Sequence, residues 1–146
     1  MKFWDSSALV PLLVNERASI AILRELERDP GVLAWWTTEV ECVSALCRLE
    51  RDSSLDASGL AEAIGRLNEL TPSWQVIQPT ARVRAAAVRL LRVHPLRSAD
   101  ALQLAAALEG SEGEPRTLPF ITLDDGLAHA AGREGFPVVD IEVAER

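Results

Sequence analysis

Cysteine and histidine are scarce in this chain of 146 residues, which has two of each. Cys42 and Cys47 lie five residues apart in a helical pattern, so they point in different directions and are too few for a disulfide framework. We expect both to be small buried hydrophobic residues. His94 and His129 fall in different helical segments without metal-ligand spacing, so we expect them at the surface or around a site. The chain therefore offers neither a Cys–His nor a Ser–His–Asp nucleophile system.

Long hydrophobic runs and positive charge are also missing. No apolar stretch approaches the roughly 18 residues of a membrane span. The opening MKFWDSSALVPLLVNE is a poor signal peptide, because it has one lysine, an early acid and no small-residue cleavage site. We therefore expect a cytoplasmic protein.

The net charge of −7 argues against non-specific duplex binding, which depends on lysine and arginine. It leaves open nucleic-acid binding through local arginines or through metal ions held by carboxylates. Lys2 is the only lysine, so nearly all the positive charge is arginine, which makes bidentate contacts to phosphate.

The hydrophobic pattern predicts a single domain over residues 1–146 in which strands alternate with helices. The predicted strands are 2–5, 32–36, 74–78, 119–122 and 137–141. The predicted helices are 6–16, 17–29, 37–52, 56–70, 80–93, 98–109 and 124–135. This alternation predicts an α/β fold, with a central parallel sheet and helices on both faces. We expect the charged tail 142–146 to fray.

Two acidic positions directly follow predicted strands. Asp5 ends the first strand, where ligands bind in open α/β sheets, but it could equally cap the next helix. Ser6 or Ser7 is the predicted N-cap of that helix. Asp124 ends the strand before the last helix, and either Asp124 or Asp125 could cap that helix.

Two further acids open predicted helices. Glu41 follows Thr38 at the Thr-x-x-Glu spacing of a capping box, and Glu39 is the competing acid on the same turn. Asp100 lies in the first turn after Ser98, where an anion interacts favourably with the helix dipole. Its neighbours are nearly all apolar, so we expect Asp100 at a buried helix end.

The joint pattern of these acids is not explained by helix capping. Asp5 and Asp124 follow strands, while Glu41 and Asp100 open helices that begin at the same edge of a parallel sheet. Crowded carboxylates cannot all ionise, so at least one pKa should rise. A divalent cation removes this conflict, and oxygen ligands without His or Cys select Mg²⁺ or Mn²⁺.

The first two acidic segments resemble motifs of the PIN-domain family. FWDSSALVPLL resembles the opening of these proteins, where the first metal acid, Asp5, is followed by small hydroxyl residues. EVECVSALCR resembles their second motif, an acid followed by a small-residue helix, which selects Glu41 over Glu39.

The last two acidic segments carry the more specific part of the resemblance. LRSADALQLAAAL is very similar to the third motif, in which Asp100 is the metal ligand. FITLDDGLAHAAGREGFPVV resembles the fourth, with Thr122, Asp124 and Gly135 in place. The match covers essentially the whole chain in order, and its length and motif order resemble VapC-type toxins of toxin–antitoxin pairs.

The resemblance implies a PIN-like three-layer sandwich and Mg²⁺- or Mn²⁺-dependent endoribonuclease activity. It implies a homodimer and a cognate antitoxin that wraps the toxin and can block its acidic site. Carried over to this chain, the catalytic and metal-binding acids are Asp5, Glu41, Asp100 and Asp124. Secondary candidates, for hydrogen bonds to the ligands or for water positioning, are Ser6, Thr122 and Asp125. The acid doublet leaves open which of its two members points inward.

Arginine would bring the RNA backbone to such a site. Arg97, three residues before Asp100, is the predicted RNA contact, and weaker candidates are Arg48, Arg82 and Arg84. Metal-assisted phosphodiester hydrolysis is the predicted reaction.

Three other functions compete with this hypothesis. A haloacid dehalogenase needs Asp-x-Asp after its first strand, and Asp5-Ser6-Ser7 breaks that motif. A receiver domain needs a lysine after a later strand, which Lys2 cannot supply. A PIN-like module that binds RNA or a partner without cutting remains the alternative.

Overall fold

The centre of the molecule is a four-stranded parallel β-sheet. The computed structural model describes residues 1–143, and its strands are β1 (Lys2–Trp4), β2 (Val32–Trp35), β3 (Gln75–Ile77) and β4 (Phe120–Ile121). They lie in the order β3-β2-β1-β4, and every neighbouring pair is parallel. The predicted α/β class with a parallel sheet is therefore confirmed.

Seven α-helices cover this sheet within residues 1–143. They are α1 (Ser6–Leu13), α2 (Ser19–Arg28), α3 (Thr38–Arg51), α4 (Ala57–Leu70), α5 (Ala81–Val93), α6 (Ser98–Gly110) and α7 (Asp125–Arg133). Each is present where the sequence predicts it, with ends shifted by a few residues. In this part of the chain no helix is both long and apolar enough to cross a membrane. The tail expected to fray is 142–146, and its residues 144–146 lie outside the described residues.

Alternation along the strands sends neighbouring side chains to opposite faces of the sheet. Phe3 and Leu33 pack against α5, α6 and α7 on one face. Trp4 and Ala34 pack against α1, α2, α3 and α4 on the other. Because β1, β2 and β4 are buried on both faces, β2 and β4 are continuously hydrophobic, and β1 is hydrophobic after Lys2. The result is the expected three-layer sandwich with helices on both faces.

The strand order reverses beside β1. The chain adds β2 and then β3 on one side of β1, and β4 later pairs with its other side. In open α/β sheets, ligands bind at such a switch point, outside the carboxyl ends of the strands. Asp5 directly follows β1 and Thr122 directly follows β4, so both lie at this position.

The predicted strand over 137–141 is wrong, because this segment makes a single isolated bridge to the sheet. Val138 pairs in parallel with Phe120. The Phe120 N–H donates to the Pro137 carbonyl at 2.8 Å, and the Val139 N–H donates to the Phe120 carbonyl at 2.9 Å. Since β4 is only two residues long, a longer ladder has no partner strand to extend along.

The predicted N-cap of the first helix is also wrong. Asp5, not Ser6 or Ser7, caps α1, and its side chain accepts a hydrogen bond from the Ser7 N–H at 3.3 Å. Of the acid doublet, Asp124 caps α7 and accepts from a backbone N–H of its first turn. Both acids that follow strands are thus helix caps as well, as their positions allowed.

The scarce cysteines and histidines take structural positions. Cys42 is buried as expected, and burial raises the pKa of its thiol to about 12. Cys47 is only partly buried. His129 is exposed as expected, whereas His94 is buried, with its Nε2 2.7 Å from the Glu134 carboxylate at the end of α7.

Candidate active site

An open cavity of about 360 Å³ lies at the carboxyl edge of the sheet. Its wall contains the four acids singled out by the sequence: Asp5 after β1, Glu41 on α3, Asp100 on α6 and Asp124 before α7. The other described lining residues are Ser6, Ser7, Val10, Ser44, Ala45, Arg48 and Ala99. The fold therefore brings carboxyl groups from four separate segments to one place.

Asp5 is the most enclosed of these acids, with 3% of its surface exposed. Its Oδ2 accepts hydrogen bonds from the Ser7 hydroxyl, from the Ser7 N–H and, at 2.8 Å, from the Thr122 hydroxyl. Thr122 Oγ1 accepts in turn from the Asp124 N–H at 3.0 Å, which links β1 to the loop after β4. Within the described residues, Oδ1 has only the Ser6 hydroxyl, at 3.4 Å.

Glu41 is held in a similar way from α3. Its Oε2 accepts from the Thr37 hydroxyl at 2.8 Å and from Nε2 of Gln103 at 3.0 Å. In the part of the chain that the structure describes, Oε1 has only the Ser6 hydroxyl, at 3.4 Å. The predicted capping box with Thr38 is wrong. The N-cap of α3 is Thr37, so Glu41 lies one residue too far along the helix to reach back to the cap N–H.

Asp100 and Asp124 form the more open side of the cavity. Asp100 lies in the first turn of α6 as predicted, and no hydrogen bond to its carboxylate is found in residues 1–143. Asp124 Oδ1 accepts from the Leu127 N–H at 2.8 Å. Asp125 is exposed and lines a different cavity, so the doublet turns Asp124 toward the other acids. Glu39 is exposed and lies outside the cavity wall.

Burial raises the pKa values of three of these acids. For Asp5, Glu41 and Asp100, the largest cause is the removal of water from around the carboxylate. Neighbouring charges add to it: Asp5 raises the pKa of Glu41, while Asp124 and Asp5 raise that of Asp100. The expected rise from crowding is therefore right in direction, although desolvation outweighs like-charge repulsion. Such a cavity favours a cation.

The donor set fits a hard divalent cation. All four acids offer oxygen ligands, and no cysteine or histidine is found among the described lining residues. Such ligands select Mg²⁺ or Mn²⁺. The four acids line one cavity, but across residues 1–143 no three acid, histidine or cysteine side chains lie close enough together to form a ready-made metal site. Mg²⁺ usually keeps several waters and binds through one or two carboxylates, so acids spread around an open cavity suit it.

Of the candidate arginines, Arg48 faces the cavity. It lies on α3 two turns after Glu41 and is exposed. Arg97 precedes α6, is exposed and lies outside the cavity wall. Arg82 forms an ion pair with an acid of α6, and Arg84 is exposed on α5.

Three polar residues that hydrogen-bond to the acids are not among the site residues predicted from the sequence. Ser7 supports Asp5, while Thr37 and Gln103 support Glu41. Gln103 alone carries a recognisable signal, because it is the single polar side chain in the apolar run ALQLAAAL. Nothing in the local sequence indicates the contact of Thr37.

Comparison with known proteins agrees with this architecture. The PIN domain family matches residues 2–133. Ribonuclease VapC45 of Mycobacterium tuberculosis is 32% identical over 133 residues, which cover 89% of this chain and 90% of that protein.

Two solved structures share the fold. A toxin-antitoxin complex from Klebsiella pneumoniae matches with a TM-score of 0.66 and 18% identity, covering 99% of this chain and 100% of that chain. FitAcB from Neisseria gonorrhoeae matches with a TM-score of 0.67 and 16% identity, covering 96% and 97%. The order of the four acidic motifs in this chain agrees with these matches. The family match and the identity to VapC45 show that this chain belongs to the PIN-domain family and is a relative of the VapC ribonucleases.

Proposed function

We propose that this chain is a Mg²⁺- or Mn²⁺-dependent endoribonuclease and the toxin of a type II toxin–antitoxin pair. The observation that carries the proposal is the convergence of Asp5, Glu41, Asp100 and Asp124 on one cavity. Burying acids in surroundings that raise their pKa values, as for Asp5, Glu41 and Asp100, does not stabilise a fold. Groups with shifted pKa values cluster at functional sites. The relationship to a protein named a ribonuclease supports RNA as the substrate. The cytoplasmic location predicted from the sequence belongs to the same proposal.

In the proposed site, three acids each have one oxygen held by protein donors and another left toward a cation. The open oxygens are Asp5 Oδ1, Glu41 Oε1 and Asp124 Oδ2, and Asp100 contributes a carboxylate without protein donors. A bound Mg²⁺ or Mn²⁺ supplies a water of lowered pKa and neutralises charge on the phosphate. The donors on the held oxygens keep each carboxylate in one orientation, so the ligands are positioned before RNA arrives.

Two arginines lie beside the acids: Arg48 lines the cavity wall, and the charge of Arg97 partly offsets the rise in the pKa of Asp100 that burial causes. Arg48 lies in the cavity wall two turns after Glu41, and its charge adds to the local hydrogen bonds that lower the pKa of Asp52 at the end of α3. A guanidinium binds phosphate through a bidentate pair of hydrogen bonds. Arg48 is therefore our candidate for holding a phosphate next to the one that is cleaved.

The proposed protein partner is an antitoxin that covers this cavity. The Klebsiella structure of the same fold is described as a toxin-antitoxin complex. A cavity walled by carboxylates is complementary to a cationic segment, and such complementarity gives a partner specificity. The homodimer that the family resemblance implies belongs to the same proposal.

Cleavage assays on protein shown to be free of antitoxin test the proposed reaction. The purified chain is incubated with total RNA and Mg²⁺, Mn²⁺ or EDTA, and the products are separated by electrophoresis. We expect discrete fragments with either metal, and none with EDTA or with Asp5→Ala. Absence of cleavage with every metal would overturn the proposal in favour of a PIN-like module that binds RNA or a partner without cutting.

The acid doublet supplies a matched control for this assay. Asn is as good an N-cap as Asp, so Asp124→Asn removes the charge while α7 keeps its cap. We expect this variant to slow cleavage by about 100-fold or more, equivalent to roughly 2.7 kcal/mol. Asp125→Asn should leave the rate within about twofold of the wild type. The opposite order would make Asp125 the inner acid.

Asp100→Asn separates the chemical role of this acid from its role in the helix. The pKa of Asp100 lies above its usual value of 3.8, chiefly because burial removes water from the carboxylate, and the charges of Asp124 and Asp5 add to this rise. Because the folded state holds this proton more tightly, the ionised group destabilises the metal-free protein as pH rises above about 3.8.

We therefore expect Asp100→Asn to abolish cleavage and yet raise the melting temperature of the metal-free protein at pH 7. The rise should be about a few degrees at most, because water screens a partly exposed group. Scanning fluorimetry in EDTA measures it. A clear fall in the melting temperature would instead assign Asp100 a structural role.

Arg48→Gln tests the proposed phosphate contact, with Arg51→Gln as its control on the same helix outside the cavity wall. Both changes are made in the uncleaving Asp100→Asn protein with Mg²⁺, and binding of a labelled mixed-sequence single-stranded RNA is measured against salt. Loss of one phosphate contact should reduce the slope of log affinity against log salt by about 0.7. Equal slopes for the two arginine variants would contradict the assignment.

A further inference from the structure

Gln103 is a fully buried polar residue in an otherwise apolar helix. It lies in the second turn of α6, and its exposed fraction is 0%. The rest of the buried face of α6 packs into the core of alanine, leucine and phenylalanine on one side of the sheet. An amide is unfavourable in such surroundings unless it is hydrogen-bonded, so its partners indicate why it is there.

The Gln103 side chain reaches from α6 to the first turn of α3. Nε2 donates to Thr38 Oγ1 at 3.0 Å and to Glu41 Oε2 at 3.0 Å. Among the described residues, Oε1 is buried without a hydrogen-bond partner. An ionised carboxylate only accepts hydrogen bonds, so the amide must turn its NH₂ group toward Glu41. Both N–H groups of the Gln103 amide thus donate to α3, while its oxygen has no hydrogen-bond partner among the described residues.

The contact fixes which oxygen of Glu41 is free. Oε2 receives two donors, the Gln103 amide and the Thr37 hydroxyl at 2.8 Å. Within residues 1–143, Oε1 has only the Ser6 hydroxyl at 3.4 Å, a distance that makes a weak hydrogen bond. Glu41 lines the cavity and Gln103 does not, so Gln103 acts on the site through this carboxylate.

We infer that Gln103 is a positioning residue that holds Glu41 by Oε2 and so presents Oε1 to the cavity for a divalent cation. The inference rests on the proposed function, in which Glu41 is a metal ligand. Hydrogen-bond partners that orient metal ligands commonly change metal affinity by 10–100-fold when they are removed. No other residue among those described joins α6 to Glu41.

A double-mutant cycle distinguishes this role from one in packing alone. Gln103→Met keeps a side chain of similar length without donors, and Glu41→Gln removes the carboxylate charge. Mn²⁺ affinity of the full chain, stripped of metal beforehand, is measured by electron paramagnetic resonance of the free ion. Gln78→Met, the same change at an exposed position after β3, is the control.

We expect Gln103→Met to weaken Mn²⁺ binding by about 10-fold or more in the wild-type background. In the Glu41→Gln background its effect should fall below about twofold, because Gln103 has then lost the ligand it positions. Gln78→Met should leave the Mn²⁺ affinity unchanged in both backgrounds. Thr37→Val removes the other donor to Oε2 without altering the core, and it should also weaken binding if Gln103→Met fails to fold.

The outcomes separate the inference from the proposed function. Equal losses of affinity in both backgrounds, or no loss from either Gln103→Met or Thr37→Val, would overturn the positioning role while metal binding stands. Failure of the wild type to bind Mn²⁺ would overturn the proposed function, and this inference with it. A fall in melting temperature without a change in Mn²⁺ affinity would assign Gln103 to packing alone.

Discussion

The rest of the site depends on a buried carboxylate whose strong hydrogen bonds all go to one of its two oxygens. Burying Asp5 is unfavourable unless its charge is hydrogen-bonded, and Oδ2 takes donors from Ser7 and Thr122. These bonds join β1, α1 and the loop after β4, so the contacts that make burial tolerable also shape the cavity. The opposite oxygen stays almost uncompensated. The raised pKa of Asp5 is one consequence of that deficit, and the cation binding that we propose is the other.

The sheet topology explains why four acids meet without being neighbours in sequence. Parallel strands end at one edge, and helices that follow them begin there, so Asp5, Glu41 and Asp124 all reach it within a few residues of a strand. Asp100 arrives differently, at the start of the second helix after β3. Because β4 pairs with the free side of β1, the last strand brings Asp124 beside Asp5. A rigid scaffold thus sets the relative positions of the acids, and short local hydrogen bonds set their orientation.

The sequence predicts this much of the structure because the decisive signals are local. Buried strands read as apolar runs, and each acid lies at a strand or helix boundary that its own neighbours indicate. The predicted strand over 137–141 is wrong because its length depends on pairing with β4, which has only two residues. Gln103, a hydrogen-bond partner of Glu41, is missed for a related reason. It lies 62 residues from Glu41 in the sequence, and only the packed structure brings its amide to α3. Local pattern therefore locates the candidate acids, and Ser7 and Thr37 lie close to them in the sequence, while Gln103 reaches Glu41 only through a tertiary contact.

A protein with a net charge of −7 repels RNA at long range, and the proposed substrate is RNA. At physiological salt, charges farther apart than about 8 Å are largely screened, so the groups within the cavity decide binding. A cation bound there reverses the local field, and Arg48 extends the positive region along α3. Without the cation, the same wall of carboxylates repels phosphate. Metal binding is therefore the condition for RNA binding in this mechanism, and a cationic antitoxin segment placed over the acids would compete with both.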